Sequence, residues 1–207
     1  MLEFFGQMIC MRNLEENKKT LQEILQILNQ YATISEAAKA VLPSILIEKH
    51  YKKGNFLLKE GKICRNLHIV KTGFIRAFYN DDGKEMTTGF AFENDFCMSI
   101  SSFIAQNPSF ENFETMEDVA TFSIDYDNLQ MLYKTFPEFN QIGRLLTERY
   151  YIELENRSRS LQFFTAKKRY QQLLEEQPQL LQRVSLGHIA SFLGISQETL
   201  SRIRGKN

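Results

Sequence analysis

The chain has 207 residues, of which 43% are apolar, 12% aromatic and 24% charged, with 25 basic and 25 acidic side chains. This is the composition of an ordinary globular protein with one large or two small domains. No apolar run approaches the roughly 18–20 residues that cross a bilayer. The apolar N-terminus lacks the basic region of a signal peptide. We therefore expect a cytoplasmic protein without membrane contact, with Met8 and Met11 as further candidate translation starts beside Met1.

The cysteines and the motif inventory exclude several classes of protein. Cys10, Cys64 and Cys97 are odd in number and widely spaced, which disfavours a disulfide framework or paired zinc ligands and favours buried free thiols. We find no Ser/His/Asp or Cys/His constellation, Gly-rich phosphate loop or His-x-x-x-His pair. The sequence therefore predicts no enzyme, no catalytic residues and no bound metal or cofactor.

The first half of the chain predicts helices followed by strands. Apolar residues at helical spacing predict helix from about Leu14 to Leu46, with a second stretch, Glu36–Leu42, that follows Ser35 and ends near Pro43. Short β-favouring runs cut by glycines follow, and Asp82-Gly83 is a hairpin turn between two of them. The spacing predicts a small antiparallel roll or barrel, with strands at Asn55–Lys59, Asn66–Lys71, Phe74–Asn80, Met86–Phe92 and Ala120–Ile124.

Helical periodicity returns after Asp125. It predicts a short helix at Asp127–Phe136, a long one from Glu138 to about Phe163, and a third, Lys167–Gln177, before Pro178. The long helix carries a mixed seam at roughly seven-residue spacing, which favours pairing with a second copy, and a polar Asn156 can fix its register. The alternative is a helix packed on its own domain. The seam consists of Ile142, Leu145, Arg149, Ile152, Asn156 and Phe163.

The C-terminal segment predicts a helix-turn-helix. Ser185 and Ser196 are N-cap residues for two short helices, and Gly194 between them can take the left-handed conformation of a sharp turn. Small and apolar residues occupy the positions where the helices meet, which makes a plain helical hairpin inside a core the weaker alternative. These residues are Ile189, Ala190, Leu193, Ile195, Leu200 and Ile203.

The exposed face of the second helix carries side chains that read DNA. Arginine pairs with guanine, glutamate accepts from cytosine and glutamine prefers adenine, while hydroxyls near the helix N-terminus suit phosphate oxygens. From Lys167 onward the sequence has seven basic and three acidic residues, so the neutral total hides a basic C-terminal part. The predicted DNA-binding residues are Ser196, Gln197, Glu198, Thr199, Ser201, Arg202 and Arg204, with Lys168, Arg169 and Lys206 adding salt-sensitive affinity.

Four segments, between about Ile34 and Arg204, resemble the CRP/FNR superfamily of bacterial transcription regulators: Lys53–Gly61, Leu67–Arg76, Asp82–Glu85 and Ser196–Arg202. The resemblance implies an α+β fold with an N-terminal antiparallel β-roll (a cyclic-nucleotide-binding-like jelly roll) and flanking helices, residues 14–137. A long dimerisation helix, 138–164, and a C-terminal winged-helix/helix-turn-helix domain, 165–207, follow. It also implies a homodimer on near-palindromic double-stranded DNA, base contacts at Glu198 and Arg202, and RNA polymerase as a partner.

The sequence departs from this family at the residues that bind the cyclic nucleotide. Cyclic-nucleotide binders of the family hold the ribose with the Glu of a Gly-Glu pair and the phosphate with a later Arg. Here Met98 and Ser99 stand at the Gly-Glu position, and residues 108–118 contain no Arg or Lys but four acidic residues. We therefore expect that cyclic AMP does not control this protein.

Another small effector, or none, is compatible with the roll. The alternative function is a small-molecule or redox sensor acting through Cys64 or Cys97 of the roll. The cysteines do not supply an iron–sulfur cluster, and His50, His68 and His188 are expected to be structural or surface residues rather than haem ligands. A pocket is expected to be lined by Phe96, Met98, Ser99, Ser101 and Ser102, with Arg149, Ile152 and Glu153 of the long helix within reach.

Overall fold

In the described part of the chain, two helices precede the first strand. The computed structural model describes residues 19–205, so Cys10, Lys206 and the helix start predicted near Leu14 lie outside the described residues. Helix α1 covers residues 19–28 and α2 covers Glu36–Ile45. The side chain of Ser35 caps α2 by accepting a hydrogen bond from the Ala38 amide, as a serine at this position does.

The predicted end of α2 near Pro43 is wrong. The helix continues through Pro43 to Ile45, and the Leu46 amide still bonds to the Leu42 carbonyl. A proline removes one amide donor but does not prevent the following amides from bonding. Because Leu42 and Ile45 are both buried, packing holds the last turn in place.

The middle of the chain is an antiparallel roll, as predicted. Within the described residues, two four-stranded sheets have the strand orders β1-β8-β3-β6 and β2-β7-β4-β5, and every pairing is antiparallel. Side chains of both sheets, of α1 and α2, and of two later helices, α4 (Tyr126–Thr135) and α5 (Pro137–Phe163), share one apolar core. The strands are β1 (Ile47–Tyr51), β2 (Phe56–Leu58), β3 (Asn66–Thr72), β4 (Ile75–Asp81), β5 (Lys84–Ala91), β6 (Phe96–Cys97), β7 (Asn112–Thr115) and β8 (Val119–Asp125).

The β4–β5 hairpin turns where the sequence predicted. Asp81 pairs with Lys84, and the two residues between them, Asp82 and Gly83, have φ angles of 47° and 85°. Two consecutive positive φ angles define the tight turn that matches the twist of a hairpin. The Asn80 side chain accepts a hydrogen bond from the Gly83 amide at 3.0 Å and completes the turn.

Helices make up the rest of the fold. Helix α5 has 27 residues, a length of about 40 Å, and leads from the roll to four short helices. No helix in residues 19–205 is long and apolar enough to span a membrane, and in that range no strand follows β8. The helices are α3 (Ile100–Ala105), α4 (Tyr126–Thr135), α5 (Pro137–Phe163), α6 (Ala166–Glu176), α7 (Leu180–Arg183), α8 (Leu186–Phe192) and α9 (Gln197–Arg204).

A second apolar core joins the C-terminal helices to the roll. Tyr170, Leu180, Ile189 and Leu200 are buried in it with other residues of α6–α9, and the roll contributes Phe74 and Phe92. These two rings stack with centroids 5.2 Å apart. The α+β architecture predicted from the sequence is therefore present, and its helical end rests directly on the roll.

Candidate nucleic-acid interface and sensor site

Helices α8 and α9 form the predicted helix-turn-helix. Ser185 caps α8 and Ser196 caps α9, each accepting a hydrogen bond from the amide three residues ahead. Gly194 has φ +65°. Its amide bonds to the Ser191 carbonyl, and the Ile195 amide bonds to the Ala190 carbonyl. This pair of bonds is the Schellman termination of a helix, so the chain reverses sharply and lays α9 against α8.

The outward face of α9 presents polar side chains to solvent. Gln197, Glu198, Ser201, Arg202 and Arg204 are exposed, whereas Leu200 is completely buried on the opposite face. The exposed five occupy one face of a capped and packed helix, as the sequence predicted. The arrangement gives a rigid element with arginine, glutamate and glutamine ends free to meet base edges.

Contacts at the start of α9 orient its polar side chains. The hydroxyls of Ser196 and Thr199 lie 3.1 Å apart, and an Arg202 Nη atom donates to Thr199 Oγ1 at 3.3 Å. The pKa of Glu198 is lowered by its own backbone amide first, then by Ser196 and Arg202. Glu198 is therefore ionised at neutral pH, which suits an acceptor of cytosine amino groups.

The two basic residues predicted on α6 differ in their surroundings. Lys168 is exposed, with its ammonium group 3.8 Å from the centroid of the Phe164 ring. Arg169 is half-buried and donates to the carbonyls of Leu193 at 2.9 Å and Phe164 at 2.7 Å. Arg169 therefore fastens α6 to the ends of α5 and α8, while Lys168 is free to meet a phosphate.

The region where the resemblance predicts a phosphate-binding cassette contains a network of hydroxyl groups around the carboxylate of Glu111. Glu111 accepts hydrogen bonds from Thr88 and Ser99, both at 3.1 Å. The hydroxyl of Ser109 lies 3.1 Å from that of Ser99 and accepts from the Glu111 amide at 2.9 Å. Ser99 and Ser109 are buried. The carboxyl group of Glu111 therefore lies at the centre of this site, and in residues 19–205 no lysine or arginine forms a salt bridge with it.

The other residues predicted to line an effector pocket are not gathered around that network. Phe96 lines an apolar cavity of about 40 Å³ between the roll and helices α1, α2, α4 and α5. Ser102 bonds to the Cys64 amide and the Asn107 carbonyl, while Met98 packs on the main core. The remaining predicted residues are exposed: Ser101 on α3 and, on α5, Ile152 and the ion pair of Arg149 with Glu153.

The described thiols are in surroundings that suppress reactivity. Cys64 and Cys97 are free and buried, and burial is the main cause that raises the pKa of each. A thiolate is the reactive form of cysteine, so neither residue has the exposed, low-pKa setting of a redox sensor.

Each histidine has a structural role or a surface position. His68 is buried, its Nδ1 lies 3.2 Å from Thr121 Oγ1, and burial lowers its pKa to about 4. His188 is half-buried, and its pKa is lowered by burial first and then by Arg76. His50 lies at the surface, 3.5 Å from a Glu48 oxygen. In residues 19–205 no group of three or more His, Cys, Asp or Glu is placed to hold a metal.

The second half of α5 carries exposed apolar side chains. Ile142, predicted as part of the seam, is instead buried in the core of its own domain. Beyond Leu146 the helix exposes large apolar residues that are 44–76% accessible. Exposed apolar surface of this kind is typical of interaction sites. These residues are Tyr150, Tyr151, Ile152, Leu154, Leu161 and Phe163.

Sequence reasoning missed the residues that join the helix-turn-helix to the roll. Arg183 was counted only as part of the basic C-terminal charge, yet it pairs with Glu93 and Glu117 of the roll. Arg157 and Arg76 also reach across to the helix-turn-helix. No local pattern marks such partners, because each lies at least 35 positions away along the chain.

Comparison with known proteins agrees with this geometry. Residues 48–136 match the cyclic nucleotide-binding domain family. The fumarate and nitrate reduction regulatory protein of Yersinia pestis is 25% identical over 171 residues, which are 77% of this chain and 68% of that protein.

Solved structures share the fold over most of the chain. FixK2 from Bradyrhizobium japonicum superposes with a TM-score of 0.69 at 19% identity, covering 78% of this chain and 84% of its own. A transcriptional regulator of the crp/fnr family from Eubacterium rectale gives 0.66 at 21% identity and 82% coverage of both chains.

The fold and the site together define a class of protein: a β-roll joined by a long helix to a helix-turn-helix. Residues 48–136 are similar to cyclic nucleotide-binding domains, and the chain is similar in sequence and fold to CRP/FNR family regulators. Of these relatives, the Yersinia pestis protein is a regulatory protein and the Eubacterium rectale protein is a transcriptional regulator.

Proposed function

We propose that this protein is a homodimeric, sequence-specific DNA-binding transcription regulator that cyclic AMP does not control. The observation that carries the proposal is the free polar face of α9, held on a capped helix-turn-helix. The second helix of such a motif lies in the major groove, with its N-terminal residues at base edges. We assign base contacts to Gln197, Glu198, Ser201 and Arg202.

The remaining DNA contacts are assigned to phosphates. Ser196 and Thr199 lie at the positive end of α9, which favours phosphate oxygens. Arg204 and Lys168 are exposed cations on the same part of the molecule, and they add affinity that falls with salt. Arg169, whose donors bond to two carbonyls, serves to hold α6 in place.

Dimerisation through α5 is supported by its exposed apolar face. Two helices that bury side chains such as Ile152 and Phe163, which lie on one face of α5, against each other remove apolar surface from water. The polar Asn156, also exposed, can set the register of the pair. We assign residues 14–137 to the sensor, 138–164 to the dimerisation helix and 165–207 to DNA binding. A role in transcription regulation also implies RNA polymerase as a partner and a cytoplasmic location.

The absence of control by cyclic AMP is supported by charge. Glu111 lies within residues 108–118, the stretch expected to supply an arginine for a cyclic phosphate, and Ser99 and Thr88 already donate to its oxygens. An anionic ligand would meet repulsion there rather than a charge-assisted bond. Calorimetric titration with cyclic AMP should show no saturable binding to the folded protein. Tight binding would refute this part of the proposal.

DNA selection tests the main proposal. Random duplex selection followed by footprinting should give a near-palindrome whose affinity falls steeply with salt. Arg202→Ala should weaken binding by about 1–3 kcal/mol and relax one base position in each half-site. Arg65→Ala, an exposed arginine on the roll, is the matched control and should bind like the original protein. If selection enriches no sequence, or Arg202→Ala binds unchanged, the assigned reading face is wrong.

A further inference from the structure

The helix-turn-helix is fastened to the edge of its own β-roll. Strand β5 is the outer strand of its sheet, so its outward backbone groups need partners outside the sheet. Ser191 of α8 supplies them: its hydroxyl accepts from the Thr87 amide at 2.9 Å and donates to the Glu85 carbonyl at 3.0 Å. One side chain of α8 thus replaces part of a neighbouring strand.

Arg183 makes a second attachment between the C-terminal helices and the roll. Arg183, at the end of α7, bonds both of its Nη atoms to the Glu93 carboxylate, at 2.8 and 2.9 Å, and also pairs with Glu117. Glu93 is itself held by the Gly73 amide at 2.9 Å, and Arg183 is the main cause that lowers its pKa. Bidentate pairs of this kind fix orientation as well as distance.

The long helix contributes a third attachment. Arg157 of α5 donates to the Thr87 carbonyl on the roll at 3.3 Å and to the Phe192 carbonyl at the end of α8 at 3.2 Å. Its guanidinium group lies 4.2 Å from the centroid of the Phe192 ring. A single side chain therefore ties the dimerisation helix, the roll and the helix-turn-helix together.

We propose that Ser191, Arg183 and Arg157 form a latch that fixes the recognition helix relative to the β-roll, so that the protein demands one separation between DNA half-sites. This rests on the proposed function. Between α5 and α6 only Phe164 and Thr165 are outside helices, and this joint can pivot through a few backbone angles. With the latch closed, the pivot is blocked and α9 has one orientation. These three are positioning residues and leave the reading face itself untouched.

The contact of the latch with Thr87 lies one residue from Thr88, which belongs to the hydroxyl network around Glu111. Ala77 pairs with Gly89 and Phe78 with Thr87, so Thr88 is the extra residue of a β-bulge. A bulge re-aims a side chain, and Thr88 donates to Glu111 while the neighbouring Thr87 amide holds Ser191. A molecule that displaced the Thr88 hydroxyl from Glu111 would therefore act on the strand that carries the latch.

The dependence of DNA affinity on half-site spacing distinguishes a positioning role of these residues from a purely stabilising one. Each base pair inserted at the centre of the selected palindrome moves the half-sites apart by about 3.4 Å and rotates them by about 35°. The original protein should lose about tenfold or more in affinity for one or two inserted pairs. Ser191→Ala and Arg183→Gln should bind the unaltered site several-fold more weakly and lose less than about threefold on insertion. Lys52→Gln, which breaks an exposed ion pair elsewhere on the roll, should keep the original dependence, and Ser191→Thr, which keeps the hydroxyl, should restore it.

A second measurement reports the latch without DNA. Amide hydrogen exchange in residues 185–204 should quicken in Ser191→Ala and Arg183→Gln while exchange in β3 and β8 stays unchanged. Unchanged exchange in both variants, unchanged spacing dependence, or tighter binding at every spacing would each overturn the latch. If no palindrome is selected but exchange quickens as stated, the DNA-binding proposal fails and the physical latch stands.

Discussion

Acidifying the solution from pH 6.5 to pH 4 should destabilise this fold through one buried histidine. His68 lies on β3 and is only 5% exposed. Its Nδ1 faces Thr121 Oγ1 at 3.2 Å, and the ring of Tyr51 packs edge-on against it. No carboxylate among the described residues forms an ion pair with this ring. The neutral imidazole is thus the form that fits, and burial is the main cause that lowers its pKa to about 4.

The size of the effect follows from the two protonation states. An unfolded chain takes up the His68 proton at its ordinary pKa of 6.5, whereas the folded chain takes it up only near 4. Between these values the unfolded state binds more protons, so the free energy of unfolding falls as the pH falls. The difference is worth about 3 kcal/mol when the pH has reached 4.

Urea unfolding at several pH values between 6.5 and 4 measures this directly. His68→Gln keeps a polar group of similar size but does not titrate, so its curve against pH should be flatter by about 3 kcal/mol in total. His50→Gln is the matched control, because His50 is exposed and should leave the curve unchanged. Parallel curves for the original protein and His68→Gln would refute the assignment of His68 as a buried neutral residue.

Three further predictions concern the helix-turn-helix and the long helix. Ser196→Ala removes the N-cap of α9 and should lower the free energy of unfolding by about 1 kcal/mol in urea titrations; Ser196→Asp should retain stability. Gly194→Ala places a side chain at φ +65°, 3.3 Å from Leu161, and should cost about 1–2 kcal/mol; no loss of thermal stability would contradict the turn geometry. Ile152→Glu places a charge on the exposed apolar face of α5 and should yield monomers in sedimentation equilibrium; an intact dimer would locate the interface elsewhere.

The helix-turn-helix could be predicted because its determinants are local. Serine caps, a glycine in the left-handed conformation and apolar residues facing inward all act within a few positions of each other. The structure contains each of them at the predicted residue, from Ser185 to Leu200. The Asp82-Gly83 turn was predicted for the same reason.

Elements that depend on distant partners were missed. Strand β1, Ile47–Tyr51, carries charged Glu48 and Lys49 and has no clear alternation, yet it pairs along its whole length with β8. Strand β6 is two residues long and exists only because β3 accepts it. Since strand pairing depends on the neighbouring strand and on burial more than on intrinsic preference, the sequence of such a segment alone is a weak guide.

The charge of the C-terminal segment, counted from the sequence alone, is likewise a weak guide to which residues bind DNA. Counted along the sequence, its arginines and lysines look alike, and all of them favour nucleic acid. In the structure Arg183 neutralises two carboxylates of the roll and Arg169 bonds to two carbonyls, whereas Lys168, Arg202 and Arg204 remain exposed. The basic excess therefore divides into cations that hold the helix-turn-helix in place and cations that face outward. Only the exposed cations can contact DNA, whereas the cations bonded within the protein fix the position of the helix-turn-helix.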